Sequence, residues 1–249
     1  MDKVMIVTGG SRGIGAATCL MAAKYGYAVA VNFRSNRDAA EAVVTAIEKD
    51  GGRAIAVEAD VSDEDDVVRL FNSVDEHLGP VTVLVNNAGI VDQPSKVADM
   101  SGQRISRMMA VNVVGPFLCA REAIKRMSTD QGGQGGAIIN ISSAASHGGG
   151  GGGAGTYVDY GASKGAIDTL TEGLAREVAA EGIRVNAVRP GVVDTEIHAS
   201  GGLPDKPTDA KAHIPLGIVG QPEDIAEAVM YLAEARFTTG AFLDVDGGV

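Results

Sequence analysis

Tyr160 and Lys164 stand four positions apart in the stretch Tyr157-Val158-Asp159-Tyr160-Gly161-Ala162-Ser163-Lys164. On a helix, that spacing sets a phenol and an ammonium side by side. A free phenol titrates near pH 10 and a nearby cation favours its ionised form, so such a pair can serve as a general acid/base tuned toward working pH. A second chemistry-bearing stretch is Thr8-Gly9-Gly10-Ser11-Arg12-Gly13-Ile14-Gly15, lying between an apolar run and a helical pattern. Glycines in that setting allow a tight turn and close backbone approach to a pyrophosphate, which the free N–H groups and positive dipole end of the helix then hold. Gly9, Gly13 and Gly15 are spaced G-x-x-x-G-x-G, not in the general G-x-G-x-x-G pattern.

These residues need a scaffold, and the hydropathy pattern supplies one. Short apolar runs at Val4–Val7, Ala28–Val31, Ala54–Val57, Val81–Val85, Ala137–Ile141, Arg184–Val188 and Phe242–Val245 alternate with amphipathic stretches near Gly13–Lys24, Arg37–Lys49, Glu64–His77, Gly102–Met127, Val158–Ala180 and Pro222–Glu234. Strands alternating with crossover helices predict an α/β fold, and near-continuous apolar strands predict burial on both faces. The expected architecture is a doubly wound, mostly parallel seven-stranded sheet with helices on both sides, formed as a single domain over residues 1–249. Gly26, Gly51-Gly52, Gly79-Pro80 and Gly182 stand where helices should end. Val192–Gln221, rich in Pro and Gly and without a period, is expected to be a structureless lid over the substrate.

The second strand ends Val31-Asn32-Phe33-Arg34-Ser35-Asn36, with no acid and with Arg34 in place. A ribose with free hydroxyls is usually held there by a carboxylate, whereas a 2′-phosphate calls for a cation. Arg12 can bring a second guanidinium to the same phosphate. The expected cofactor is NADP(H), with NAD(H) as the second possibility.

Several of these motifs, taken in order, resemble those of the short-chain dehydrogenase/reductase family. They are Thr8 to Gly15, Asn86-Asn87-Ala88-Gly89 after the fourth strand, Asn112, Ser142-Ser143 after the fifth, Tyr160 with Lys164, and Pro190-Gly191 after the sixth. The likeness runs nearly the whole chain and is similar to that family's 3-oxoacyl-carrier-protein reductases and its sugar and alcohol dehydrogenases. It implies hydride transfer between a nicotinamide cofactor and a small-molecule carbonyl or alcohol. In the roles it implies, Tyr160 moves the proton, Lys164 lowers the phenol's pKa and holds the nicotinamide ribose, and Ser143 donates to the substrate oxygen. Asn112 is implied to hold a water linking Lys164 to solvent. Gly9, Ser11, Arg12, Gly13, Ile14 and Gly15 would carry the pyrophosphate, and Asp60 and Val61 would face the adenine. Asn86, Ala88 and Gly89 would line the cofactor, with the Asn86 amide tying strand ends together. Pro190, Gly191, Val193 and Thr195 would run beside the nicotinamide. Neighbouring residues on a strand point to opposite faces, so only one of Ser142 and Ser143 should reach substrate, and the family pattern favours Ser143. Tyr157 has Gly161 four residues on, and is expected to line the pocket rather than react.

One departure concerns the stretch between Ser143 and Tyr160, which is longer than is common in the family and contains the uninterrupted glycine run Gly148–Gly153. Its role and the substrate are left open. His147 at its start is expected to be a surface residue.

Lys plus Arg number 21 against 32 Asp plus Glu, a formal charge of −11, so a nucleic-acid or anionic-membrane partner is not expected. Cys19 and Cys119 have no metal-like spacing, and no metal is expected; with no secretory pattern at the start, the expected location is cytoplasmic. The family resemblance further implies a homotetramer. The competing reading is a dinucleotide-binding regulator or scaffold without catalysis.

Overall fold

The computed structural model describes residues 3–147, 157–203 and 206–249. The strands β1 (Lys3–Val7), β2 (Tyr27–Phe33), β3 (Ala54–Glu58), β4 (Val83–Asn86), β5 (Gly136–Ile141), β6 (Ile183–Pro190) and β7 (Phe242–Val245) form one sheet in the order β3-β2-β1-β4-β5-β6-β7. Every pairing is parallel. The helices are α1 (Gly13–Lys24), α2 (Arg37–Lys49), α3 (Glu64–His77), α4 (Gly102–Met109), α5 (Gly115–Met127), α6 (Val158–Glu177), α7 (Ile197–Ser200), α8 (Lys206–Ala210) and α9 (Pro222–Glu234).

The apolar strands are sealed on both faces. Val4 and Ile6 of β1 pack with Phe71 of α3, Ala123 of α5 and Ile167 of α6. Met5 and Val7 pack with Cys19 of α1, Ile47 of α2 and Val229 of α9. Alternate residues of one strand therefore feed two separate cores. The chain leaves β1 toward β3 on one side and returns to place β4 on the other, with Val7 in register with Val85. Where the winding reverses, the ends of β1 and β4 cannot both be covered by crossovers, and a crevice opens there.

Two elements differ from the sequence expectation. Gly102–Met127 is not one helix, because the segment Ala110–Val114 is a π-turn between α4 and α5. Pro116 explains the break. Its ring nitrogen has no proton, so the Asn112 carbonyl four residues earlier loses its helical donor and meets the ring instead. Gly115 lets this junction press on Val61, whose Cγ2 would lie 2.9 Å from an added Cβ. The second difference is in Val192–Gln221, which is not structureless. It is pinched at its base by a parallel bridge between Val193 and Gly220, with Gly220 N donating to Val192 O at 3.1 Å and Asp194 N to Gly220 O at 2.9 Å. Between these points lie α7, α8 and a 3-10 turn over Lys211–His213. The run Gly148–Gly153 lies outside the described residues. Among the described residues, no helix is long and apolar enough to cross a membrane.

Candidate active site

The crevice is a cleft of about 420 Å³ across the carboxyl ends of the central strands. Gly9 and Gly13 turn the chain after β1 with φ of +62° and +51°, which L side chains rarely adopt. A Cβ at Gly15 would fall into the Gly9 carbonyl, so the helix start lies directly on the turn. Three polar side chains brace it. Thr8 Oγ1 accepts from Asn87 N and Ala88 N, both at 3.0 Å. Asn87 Nδ2 donates to Thr8 O at 2.8 Å and Gly9 O at 3.0 Å. Asn32 Oδ1 accepts from Gly9 N at 3.2 Å, while its Nδ2 donates to Ala59 O at 3.0 Å. Asn32 and Asn87 brace the turn, at positions that the sequence pattern did not single out. Their only local signal is an amide in or just after a strand, where Asn is disfavoured.

The turn leaves α1 without a side-chain cap, and the first N–H groups of a helix have no intrahelical acceptor. Across the cleft, an added Cβ on Gly13 would come within 3.2 Å of Thr195 Cγ2, so the segment after β6 faces the glycine turn. Gly9, Ser11, Arg12, Gly13, Ile14, Ala88, Gly89, Pro190, Gly191, Val193 and Thr195 all line the cleft. Uncapped amides and a backbone that no Cβ could approach fit the pyrophosphate of a dinucleotide. At the far end Arg34, Asp60 and Val61 also line it. Arg34 Nε lies 2.9 Å from Asp60 Oδ2, with the arginine side chain 66% exposed. An acid therefore does meet this end of the cleft, but it comes from the β3 side and is paired to the arginine. Gly15 sits beneath the turn, outside the lining.

Asn86 does not reach the cleft. Its Nδ2 donates to Asn140 Oδ1 at 2.9 Å, and Asn140 Nδ2 donates to Thr171 Oγ1 at 2.8 Å. This chain of amides ties β4 to β5 and α6, the tying role expected of it, but the next residue, Asn87, is the one that faces the cleft.

At the chemical end, Ser143, Tyr160 and Lys164 share one wall. Ser142 Oγ turns away to Asp168 Oδ1 at 2.6 Å and is buried. Ser143, whose hydroxyl accepts from Ala145 N at 3.1 Å, is the serine whose side chain bears on the Tyr160 phenol. Lys164 Nζ donates to Ile141 O at 2.7 Å and stands 5.7 Å from the Tyr160 ring centre. Burial brings the lysine's pKa down to about 8, with the Asp168 carboxylate opposing the change. Tyr160 moves in the unexpected direction. Burial raises its pKa, and the group working against that rise is the Ser143 hydroxyl, not Lys164. The lysine stands beside the ring and is bonded to a backbone carbonyl.

Asn112 is buried within the π-turn. Its Oδ1 accepts from Ile90 N at 2.8 Å, and its Nδ2 donates to Ile90 O at 2.9 Å and Ser163 Oγ at 3.1 Å. An added Cβ on Gly89 would sit 3.6 Å from both Asn112 Oδ1 and Lys164 Nζ. The amide thus clamps the strip after β4 to α6 beside the lysine, and does not itself open onto the cleft. Tyr157 lines the cleft, while His147 is exposed and stands outside the lining.

Residues 3–203 match the family description "short chain dehydrogenase". The chain is 51% identical over 247 residues to "Uncharacterized oxidoreductase YgfF" of Escherichia coli (strain K12), covering 98% of this chain and 99% of that protein. It is 40% identical over 251 residues to "3beta-hydroxysteroid dehydrogenase 1" of Eggerthella lenta, covering 99% and 93%. Among solved structures, a blue fluorescent protein from a metagenomic library, in complex with NADPH, superposes with a TM-score of 0.88 at 38% identity, covering 99% and 97%. With the all-parallel sheet, the glycine turn at its switch point and the Ser143, Tyr160 and Lys164 wall, these likenesses establish that the chain belongs to the short-chain dehydrogenase/reductase family of oxidoreductases.

Proposed function

We propose that the protein is an NADP(H)-dependent reductase/dehydrogenase acting on a carbonyl/secondary-alcohol pair, with Tyr160 as the general acid/base. The observation that carries this is the placement of Ser143, Tyr160 and Lys164 on one wall of the same cleft that the glycine turn opens. A bound nicotinamide supplies or accepts the hydride. The Gly9–Ile14 turn and the Pro190–Thr195 strip would hold it, and Arg12 and Arg34 favour the phosphorylated ribose; the related blue fluorescent protein is known in complex with NADPH.

Because burial raises its pKa, Tyr160 carries its proton at neutral pH. It is therefore set to donate to a carbonyl oxygen, with the Ser143 hydroxyl as a second donor where charge develops. Lys164, with a pKa lowered to about 8, stands close enough to neutral pH to give up and regain a proton behind the phenol. Around this wall the cleft is lined by Ile90, Val91, Ala145, Tyr157 and Ile197. This lining favours an uncharged, largely apolar carbonyl over a phosphorylated or polyhydroxylated one. The segment at about 192–221 acts as the lid, since Ile197, His198 and Ser200 of α7 reach the cleft. Val114, Phe117 and Val158 are 45%, 52% and 40% exposed on the turn before α5, on α5 and on α6, and supply an apolar face for assembly into a homotetramer. The buried free thiols Cys19 and Cys119 suit a reducing, cytoplasmic setting.

The test incubates the protein with NADPH and a carbonyl panel, and with NADP and an alcohol panel, following nicotinamide absorbance. Turnover that disappears in Tyr160→Phe supports the reading. Equal or tighter binding of NADH would overturn the cofactor assignment.

A further inference from the structure

Beyond the wall that carries the reaction, one buried ion pair joins α4 to the first turn of α6. Arg104 donates through Nε to Asp159 Oδ2 at 2.7 Å and through Nη2 to Asp159 Oδ1 at 3.2 Å. The two side chains are only 12% and 3% exposed. Asp159 precedes Tyr160, and its Oδ1 also accepts from the Tyr160 backbone N–H at 3.0 Å.

The third arm of the guanidinium points elsewhere. Nη1 donates to Gln93 O at 2.7 Å, in the strip after β4 whose Ile90 and Val91 line the cleft. The end of α7 rests on this strip. An added Cβ on Gly201 would lie 2.7 Å from Val91 Cγ1, and one on Gly202 would lie 3.0 Å from Gln93 Cγ. One planar group therefore holds the start of the catalytic helix and the strip that seats α7.

A buried pair gains little net stability over apolar packing of the same volume. What a bidentate fork adds is a fixed distance and a fixed orientation. The first turn of α6 begins at Tyr157 without a side-chain cap hydrogen bond from that residue, and the fork on Asp159 ties this turn to α4. Asn112 holds only the following turn, through Ser163.

The geometry points to Arg104 as a positioning residue that, through Asp159 and Gln93, sets Tyr160 at its working distance from the substrate-facing wall. This rests on Tyr160 being the acid/base of the reaction proposed above. Arg104 touches no reacting atom and acts only through its two partners.

The test compares the full-length protein with Arg104→Gln, Arg104→Lys, Asp159→Asn and the double variant Arg104→Gln/Asp159→Asn. Four readouts are taken: thermal midpoint, NADPH affinity by fluorescence, kcat and KM for a carbonyl that the wild type reduces, and hydrogen exchange at the amides of residues 157–161. Each neutralising variant is expected to lower kcat about 10- to 100-fold, the scale of a misplaced reacting group. NADPH affinity should stay within about twofold of wild type, because the fork lies away from the glycine turn. Exchange at 157–161 should rise, and the double variant should lose no more than the worse single one. Arg104→Lys keeps the charge but not the fork, so it should recover part of kcat; being the milder change, it serves if the others fold poorly.

Unchanged kcat with a lowered midpoint would make the pair structural and overturn the inference, as would losses that simply add in the double variant. If the wild type reduces no carbonyl, the functional reading fails separately. The exchange data then still decide, since unaltered exchange at 157–161 would remove the anchor role.

Discussion

Burial holds the Lys164 ammonium at a pKa of about 8 against an ordinary 10.5, and this has a consequence for stability. Below pH 8 both folded and unfolded chains keep that proton, and the folded one does so at a cost. Between about pH 8 and 10.5 the unfolded chain binds more protons at this site, so stability from this group rises with pH. Lys164→Met should therefore be more stable than wild type at pH 7, by about 2–3 kcal/mol: about 3.5 kcal/mol on the scale of 1.4 kcal/mol per pKa unit, less the hydrogen bond lost to Ile141 O. The gap should close by pH 10.5, and urea midpoints of the two proteins across that range check it. The cofactor end offers a second test. A charge-assisted hydrogen bond is worth roughly 1.5–3 kcal/mol, so Arg34→Ala should weaken NADPH binding about 10- to 100-fold and leave NADH binding little changed. Fluorescence titration with both nucleotides reads this directly. The pairing of Arg34 with Asp60 places the effect toward the lower end of that span.

The π-turn at Ala110–Val114 shows how one residue reshapes an element. Pro116 denies the Asn112 carbonyl its donor, and the widened turn aims the Asn112 amide at Ile90 and Ser163. Pro116→Ala restores an N–H and should let the segment relax toward a continuous α-helix. The expected outcome is a thermal midpoint equal to or above wild type with kcat reduced about tenfold or more, as the clamp beside Lys164 turns away. A variant with full turnover would show that the turn is incidental. At this scale the sequence was only partly legible. The strands and the glycines ending α1, α2 and α3 could be read, because apolar runs and positive-φ positions are local signals. The break in Gly102–Met127 was missed because its apolar spacing continues through Pro116. The helices α7 and α8 span only four and five residues, too few to show a period.

Across the whole molecule, two cores sealed by one sheet position everything else. Phe71, fully buried in the core that α3 shares with α5, should cost about 3–5 kcal/mol when cut to Ala, measurable in urea, with no selective change in NADPH affinity per folded molecule. The site was legible wherever its residues sit at strand ends in chain order: the glycine turn, Ser143, and Tyr160 with Lys164. It was not legible where function depends on partners far apart in sequence. Asn32 and Asn87 bracing the turn, Arg104 reaching Asp159, and Ser142 turning to Asp168 emerge only once the sheet brings them together. The same limit explains the Tyr160 pKa, since spacing reveals a neighbouring cation but not how deeply a phenol is buried. The most direct measurement of the central claim is NADPH oxidation with a panel of uncharged carbonyls, run in parallel for wild type and Tyr160→Phe. The account predicts turnover by the wild type and a loss of about 100-fold or more in kcat for Tyr160→Phe, with NADPH affinity retained; equal turnover by the two proteins would contradict it.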